Sequence, residues 1–193
     1  MPHPVETKFN APASDILDAI ERGFRAQIDI KGKLAELYLS RHLDALKAAG
    51  VIDRYEWHDR DGVPDFEVFK GKHRLVVECK NVRSGDGHAG DNWATVELQK
   101  TRGGLDAQGR KTRGYRVGHF DILGACLFNQ TGKWAFRFVQ AQHLARRPDD
   151  AEVFVVIHRL PYADERGWRG DLAAVIEQEI AERAKVSRRR PGR

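Results

Sequence analysis

The chain contains 193 residues, of which 41% are hydrophobic and 32% are charged, and it carries a formal net charge of +5. This balance provides enough apolar surface for one domain with a core. The sequence excludes a membrane-spanning helix, because no segment approaches the roughly 18 consecutive apolar residues that a span needs. The N-terminus also lacks an apolar targeting region, so we expect a soluble, cytoplasmic protein with no membrane partner.

The basic charge is compatible with a polyanionic partner, although a surplus this small does not establish one. The cysteines Cys79 and Cys126 both lie in apolar runs, which indicates buried free thiols rather than a disulfide. No CxxC pattern occurs, so the eight histidines give little support to a structural zinc site.

The first part of the chain predicts an arm followed by helices. Three prolines within residues 1–12 predict a flexible N-terminal arm. Apolar residues at helical spacing predict a helix that begins after Ser14, a common N-cap residue. A second helix is predicted from about residue 33 to residue 49, because Gly50 follows as a typical C-terminal stop.

Short apolar or alternating runs then predict a series of strands. These runs cover residues 51–57, 63–69, 73–82, 120–128, 134–139 and 152–157. A last helix is predicted over residues 171–183, and residues 185–193 form a basic C-terminal tail. Helices, then strands, then further helices favour an α/β fold of the α+β type, in which helices flank a mixed central β-sheet. We expect residues 13–184 to form this single domain.

The candidate catalytic residues are concentrated in two neighbouring predicted strands. Pro64 and Asp65 lie in the first, and Glu78 and Lys80 lie in the second, after a turn around Gly71. Strand side chains alternate between faces, so Glu78 and Lys80 share one face while Leu75, Val77 and Cys79 point to the core. If the strands pair with both apolar faces on the core, Asp65 lies on the same side as Glu78 and Lys80.

A further carboxylate, Glu36, is predicted on the second helix. It precedes Leu39 and Leu43 by three and seven residues, so it shares their apolar stripe. A carboxylate there is costly unless it is paired or bound to a metal. Crowded carboxylates raise each other's proton affinity, and a hard divalent cation such as magnesium or manganese relieves that repulsion. A purely structural alternative stays open, in which these residues have no catalytic role. In that case Asp65 lies in a turn, and Glu78 and Lys80 occupy a half-exposed strand face.

This set of residues resembles the PD-(D/E)xK nuclease superfamily, and in particular its restriction-endonuclease-like members. Pro64, Asp65, Glu78 and Lys80 occupy the motif positions, and Glu36 stands where many members have a helix acid.

The resemblance covers roughly residues 30–140, and it implies a magnesium cofactor that manganese can replace. It assigns the metal to Asp65, Glu78 and the backbone carbonyl of Cys79. It assigns catalytic roles to five side chains: Glu36, Asp65, Glu78, Lys80 and Gln99.

Residues 83–116 are rich in glycine and basic side chains, which favours a flap that contacts DNA phosphates over a merely solvated loop. The residues that we expect to contact DNA are Arg83, Trp93, Lys100, Arg102 and Arg113.

The leading hypothesis is therefore a magnesium-dependent DNA endonuclease of the restriction or host-defence type, acting as a homodimer. An accessory methyltransferase or another defence-system subunit is a further expected partner. A structure-specific junction or repair nuclease would use the same motif. A nuclease-like domain that only binds nucleic acid is the third hypothesis, although the intact Lys80 argues against it.

Overall fold

The computed structural model describes residues 2–60, 63–85, 92–99, 109 and 114–189, with the side chains of residues 187–189 excepted. Two compact units make up the chain, Met1–Leu34 and Ala35–Arg193. Within the described residues, every helix is too short or too polar to cross a membrane.

The first unit is helical from close to its start. Helix α1 (Pro4–Phe9) is followed by α2 (Ala13–Arg22) and by the first part of α3 (Phe24–Ala48). The His3 imidazole accepts a hydrogen bond from the Val5 amide, and the Glu6 carboxylate accepts one from the His3 amide. These bonds satisfy amide groups that the first turn leaves without partners. The segment from which the sequence predicts an arm therefore contains a helix, because a histidine replaces the usual N-cap residue types.

Among the described residues, the second unit contains the remainder of α3, seven strands and two further α-helices. Its elements are β1 (Arg54–Trp57), β2 (Phe66–Lys70), β3 (His73–Asn81), β4 (Trp93–Glu97), β5 (Ile122–Cys126), α4 (Phe128–Thr131), β6 (Phe136–Gln140), β7 (Ile157–Pro161) and α5 (Leu172–Arg189). Strands β1, β2, β3, β5 and β6 form one sheet in that order, and β4 pairs with β7 in a second. The β3–β5 pair is parallel and the other pairs are antiparallel.

The alternation along β3 separates two hydrophobic clusters on the two faces of the five-stranded sheet. Leu75, Val77 and Cys79 pack in one cluster with residues of α3 and α5. Val76 belongs to the other cluster, which the residues of β4 and β7 help to form. The predicted fold class, a mixed central sheet flanked by helices, is confirmed. Both long helices contribute to the same cluster, whereas the small sheet contributes to the other one.

Gly124 in β5 allows the close packing that positions α3. A Cβ atom at this residue would lie 3.2 Å from the Phe138 ring and 3.5 Å from the Leu39 side chain. A larger residue would therefore push against the helix one turn after Glu36.

The strand predicted over residues 152–157 is wrong in position, because the observed strand is β7. Phe154 forms only an isolated bridge with Arg146, whereas Ile157 to Pro161 pair along the length of β4. The buried residues of β7 include a histidine, His158, and this polar residue at an inward position conceals the alternation of the strand.

Candidate active site

The β2–β3 hairpin brings Asp65 next to the acidic end of β3. Phe66 pairs with Val77, and the backbone amide of Cys79 donates a hydrogen bond of 2.7 Å to Asp65 Oδ2. The Asp65 carboxylate is therefore held at the β3 backbone beside Glu78. The Cys79 side chain is buried in the cluster on the opposite face, which agrees with the alternation of the strand.

Glu78 is buried, with 5% of its surface exposed, and two side chains donate hydrogen bonds to it. Lys80 Nζ donates to Glu78 Oε1 at 2.5 Å, and the Tyr115 hydroxyl donates to the same oxygen. Lys80 Nζ also lies 5.2 Å from the centre of the Tyr115 ring. The acid, the lysine and the tyrosine thus form one connected group, which compensates the cost of burying the Glu78 carboxylate.

Asp65 has a strongly shifted proton affinity. Its pKa rises to about 7, mainly because the group is buried and further because of the neighbouring charges of Glu78 and Glu36. Lys80 and the Cys79 amide act in the opposite direction. An acid group with a pKa near neutrality is common in functional sites, because holding such a group in that environment lowers the stability of the protein.

Lys80 stays protonated at neutral pH. Burial alone would lower its pKa, but the charge of Glu78 and the contributions of Tyr115 and Asp65 outweigh burial, so the pKa of Lys80 rises. For Tyr115, burial is the main reason that the pKa rises well above its ordinary value. The tyrosine therefore keeps its proton and donates a hydrogen bond, and the lysine supplies a positive charge.

Glu36 approaches the same group from α3. The indole nitrogen of Trp57 donates a hydrogen bond of 3.1 Å to Glu36 Oε2. The charge of Glu36 contributes to the raised pKa of Asp65. The helix therefore brings a third carboxylate into electrostatic contact with Asp65.

The donor chemistry of the carboxylates Glu36, Asp65 and Glu78 fits a hard divalent cation, because all of them offer oxygen ligands. Their ligand atoms do not form a triplet within 4.8 Å of one another among the described residues, so an ion would require side-chain adjustment. The unrelieved negative charge that raises the Asp65 pKa is the property that a cation would neutralise. The role of the Cys79 carbonyl remains a prediction.

The other predicted site residues lie farther along the chain. Gln99 forms a backbone bridge with Gly114, directly before Tyr115, and its catalytic role remains a prediction. Arg83 is exposed, and Trp93 begins β4 with the Arg159 guanidinium 4.3 Å from its ring centre. Their DNA-binding roles also remain predictions. The remaining predicted contacts fall outside the described residues: Lys100, Arg102 and Arg113.

Sequence reasoning did not assign a role to Tyr115. Its position at the end of a basic, glycine-rich segment carries no spacing relation to Glu78, which lies 37 residues earlier. The available signal was weak: an aromatic residue with a polar tip among charged residues, where tyrosine commonly finds a hydrogen-bond partner.

The chain was compared with known protein families, curated proteins and solved structures. No protein-family model matches the chain, and no curated protein matches its sequence. Among solved structures, the bacterial homing endonuclease I-Ssp6803I aligns with a TM-score of 0.48 and 16% identity, over 83% of this chain and 97% of that chain. Values this low leave the function to be argued from the residues of the chain itself.

Proposed function

We propose that this chain is a magnesium-dependent DNA endonuclease of the restriction or host-defence type. The observation that carries the proposal is the cluster of Asp65, Glu78 and Lys80 on the β2–β3 hairpin, with Glu36 beside it. Two carboxylates and a lysine supply the charges that hydrolysis of a phosphodiester needs without a covalent intermediate.

In this proposal, the Asp65 and Glu78 carboxylates would hold the cation, with Glu36 as an additional acid. Magnesium, or manganese in its place, would polarise a phosphate oxygen and activate a water molecule. Because Lys80 remains protonated, it neutralises charge that develops on the phosphate and does not remove a proton from the water. Tyr115 orients Glu78 through its hydroxyl.

The experiment that tests the proposal incubates the purified chain with plasmid and phage DNA, with and without magnesium, and sequences the fragment ends. Cleavage only with magnesium is expected. A panel of linear, branched and single-stranded substrates distinguishes this enzyme from a junction or repair nuclease. Salt-sensitive DNA binding without cleavage under any metal would overturn the proposal and favour a domain that only binds nucleic acid.

We also propose that the enzyme acts as a homodimer, because cleavage of both strands requires two sites or two visits. The first unit exposes large apolar side chains, among them Phe9, Leu17 and Phe24, and exposed apolar groups of this kind often mark an interface. An accessory methyltransferase or defence subunit would be a further partner.

Magnesium affinity is expected to depend on pH with a midpoint near 7. Burial and the charge of Glu78 raise the pKa of Asp65 to about 7, and the ion must displace that proton. Below this pH the affinity should fall by about tenfold per pH unit, and above it the affinity should level off. Calorimetric titration from pH 5.5 to 8.5 measures the profile. A constant affinity over this range would contradict the role of Asp65.

Replacement of Tyr115 by phenylalanine is expected to reduce the cleavage rate by about tenfold, the equivalent of one hydrogen bond. The ring remains, but the donor to Glu78 Oε1 is lost. Single-turnover kinetics measure the effect. The matched control is Tyr55→Phe, which removes a hydroxyl that donates to Asp44 and should leave the rate unchanged. Equal rates for both variants would exclude a positioning role for Tyr115.

A further inference from the structure

A second group of metal-ligating side chains lies on the five-stranded sheet. Glu56 on β1 and Glu67 on β2 are direct cross-strand partners. His58 follows β1, and its backbone amide donates a hydrogen bond of 2.9 Å to the carbonyl of Asp65. The pairing of the two strands therefore brings one imidazole and two carboxylates together. Two carboxylates at opposed positions repel one another unless a positive charge lies nearby.

The His58 imidazole has one ring nitrogen that faces the interior of this group. Its Nε2 atom is shielded from solvent and has no hydrogen-bond partner in the described part of the chain. The nitrogen lies 3.9 Å from Glu56 Oε2 and 3.8 Å from Glu67 Oε1, too far for hydrogen bonds. A shielded nitrogen that faces two carboxylate oxygens across such a gap leaves room for an ion that contacts all three side chains.

The separations suit one bound ion. Two ligand atoms that bind the same ion at about 2.0–2.2 Å lie at most about 4.4 Å apart, and both measured distances fall within this limit. The three ligand atoms all lie within 4.8 Å of one another. A small adjustment of the side chains would close the group around an ion.

The carboxylates are already oriented by arginines. Arg54 binds Glu56 through Oε1, while Oε2 is the atom that faces His58. Arg74 binds both oxygens of Glu67. Ligating carboxylates commonly carry such supporting hydrogen bonds, which fix their direction. The two guanidinium groups also reduce the net negative charge, so the imidazole has to contribute to the binding of an ion here.

We propose that Glu56, His58 and Glu67 form a binding site for a transition-metal ion of the zinc class. A nitrogen ligand with two carboxylates favours zinc or a similar ion over magnesium and calcium, which prefer oxygen ligands. The ion would tie the end of β1 to the start of β2, directly beside Asp65. The site is independent of the proposed nuclease activity.

The test uses the full chain with Asp65→Asn, so that zinc binding at the candidate active site is suppressed. After removal of metals with a chelator, calorimetric titration with zinc should show one site per chain, and zinc should raise the melting temperature. Adding His58→Gln to this parent should weaken zinc binding by at least about tenfold and abolish the thermal shift. His73→Gln, at the other end of the β2–β3 hairpin, serves as the matched histidine control and should change neither.

Urea unfolding in chelator verifies that the His58→Gln protein remains folded. A zinc affinity within twofold of the parent in that folded variant would overturn the proposal, as would a parent that binds no zinc. Neither result depends on DNA cleavage. Failure of the metal site and failure of the nuclease assignment are therefore separate outcomes.

Discussion

Replacement of Asp65 by asparagine is expected to abolish DNA cleavage and at the same time to stabilise the metal-free protein at pH 8. Asparagine retains an oxygen that can accept the hydrogen bond from the Cys79 amide. It removes a buried negative charge that faces Glu78 and Glu36. Loss of a charged metal ligand should lower the cleavage rate by a factor on the order of 10³ or more.

The sign of the stability effect follows from the raised pKa. Burial raises the pKa of Asp65 from 3.8 to about 7, so the folded state holds a proton that the unfolded state releases between these values. The stability of the wild-type protein therefore falls as pH rises through this window. The asparagine variant does not lose stability in this way. Its stability advantage over the wild-type protein should be absent near pH 4 and reach about 4 kcal/mol at pH 8. Urea unfolding in chelator at several pH values measures this difference.

Asp121→Asn is the matched control for this prediction. Asp121 Oδ2 also accepts a hydrogen bond from the β3 backbone, 2.7 Å from the Val76 amide, and its carboxylate pairs with Arg183. Removal of that ion pair should not stabilise the protein, and cleavage should stay within a few-fold of wild type. Cleavage by the Asp65→Asn variant at more than about a tenth of the wild-type rate would show that Asp65 is not a metal ligand.

The part of the site that the sequence predicts is local. Asp65 directly precedes β2, and Glu78 and Lys80 lie on β3. A turn at Gly71 joins the two strands, and this glycine adopts the positive φ that glycine favours. The period of two along a strand then determines which side chains share a face. The position of Glu36 is predictable by the same kind of reasoning, because helical periodicity puts it on the same apolar stripe as Leu39.

Features that depend on distant pairing were not predictable in this way. Tyr115 reaches Glu78 only after the intervening chain has folded back, and Ile157 to Pro161 form a strand because β4 supplies a partner. His58 is a similar case: its environment arises from the register between β1 and β2. Sequence spacing reports neighbours within an element, whereas register between elements is set by tertiary packing.

Replacement of Lys80 by methionine is expected to reduce cleavage by a factor on the order of 10² to 10⁴ while magnesium binding is retained. Methionine has a length similar to that of the lysine stem but no charge to place near the phosphate. Because Lys80 lowers the pKa of Asp65, its removal should also shift the pH midpoint of magnesium binding upward. The loss should appear in kcat, since the ammonium group is expected to act on charge that develops in the transition state.

The two variants distinguish the role of Lys80 from the role of the metal ligands. Asp65→Asn should lose both magnesium binding and cleavage, whereas Lys80→Met should lose cleavage alone. Lys70→Met provides the matched control, because Lys70 lies on β2 and pairs with Glu177 away from the Glu78 carboxylate. Single-turnover cleavage and calorimetry on the same samples decide the outcome. If Lys80→Met cleaved DNA as fast as Lys70→Met, the half-buried ammonium group would serve only to neutralise Glu78 in the fold.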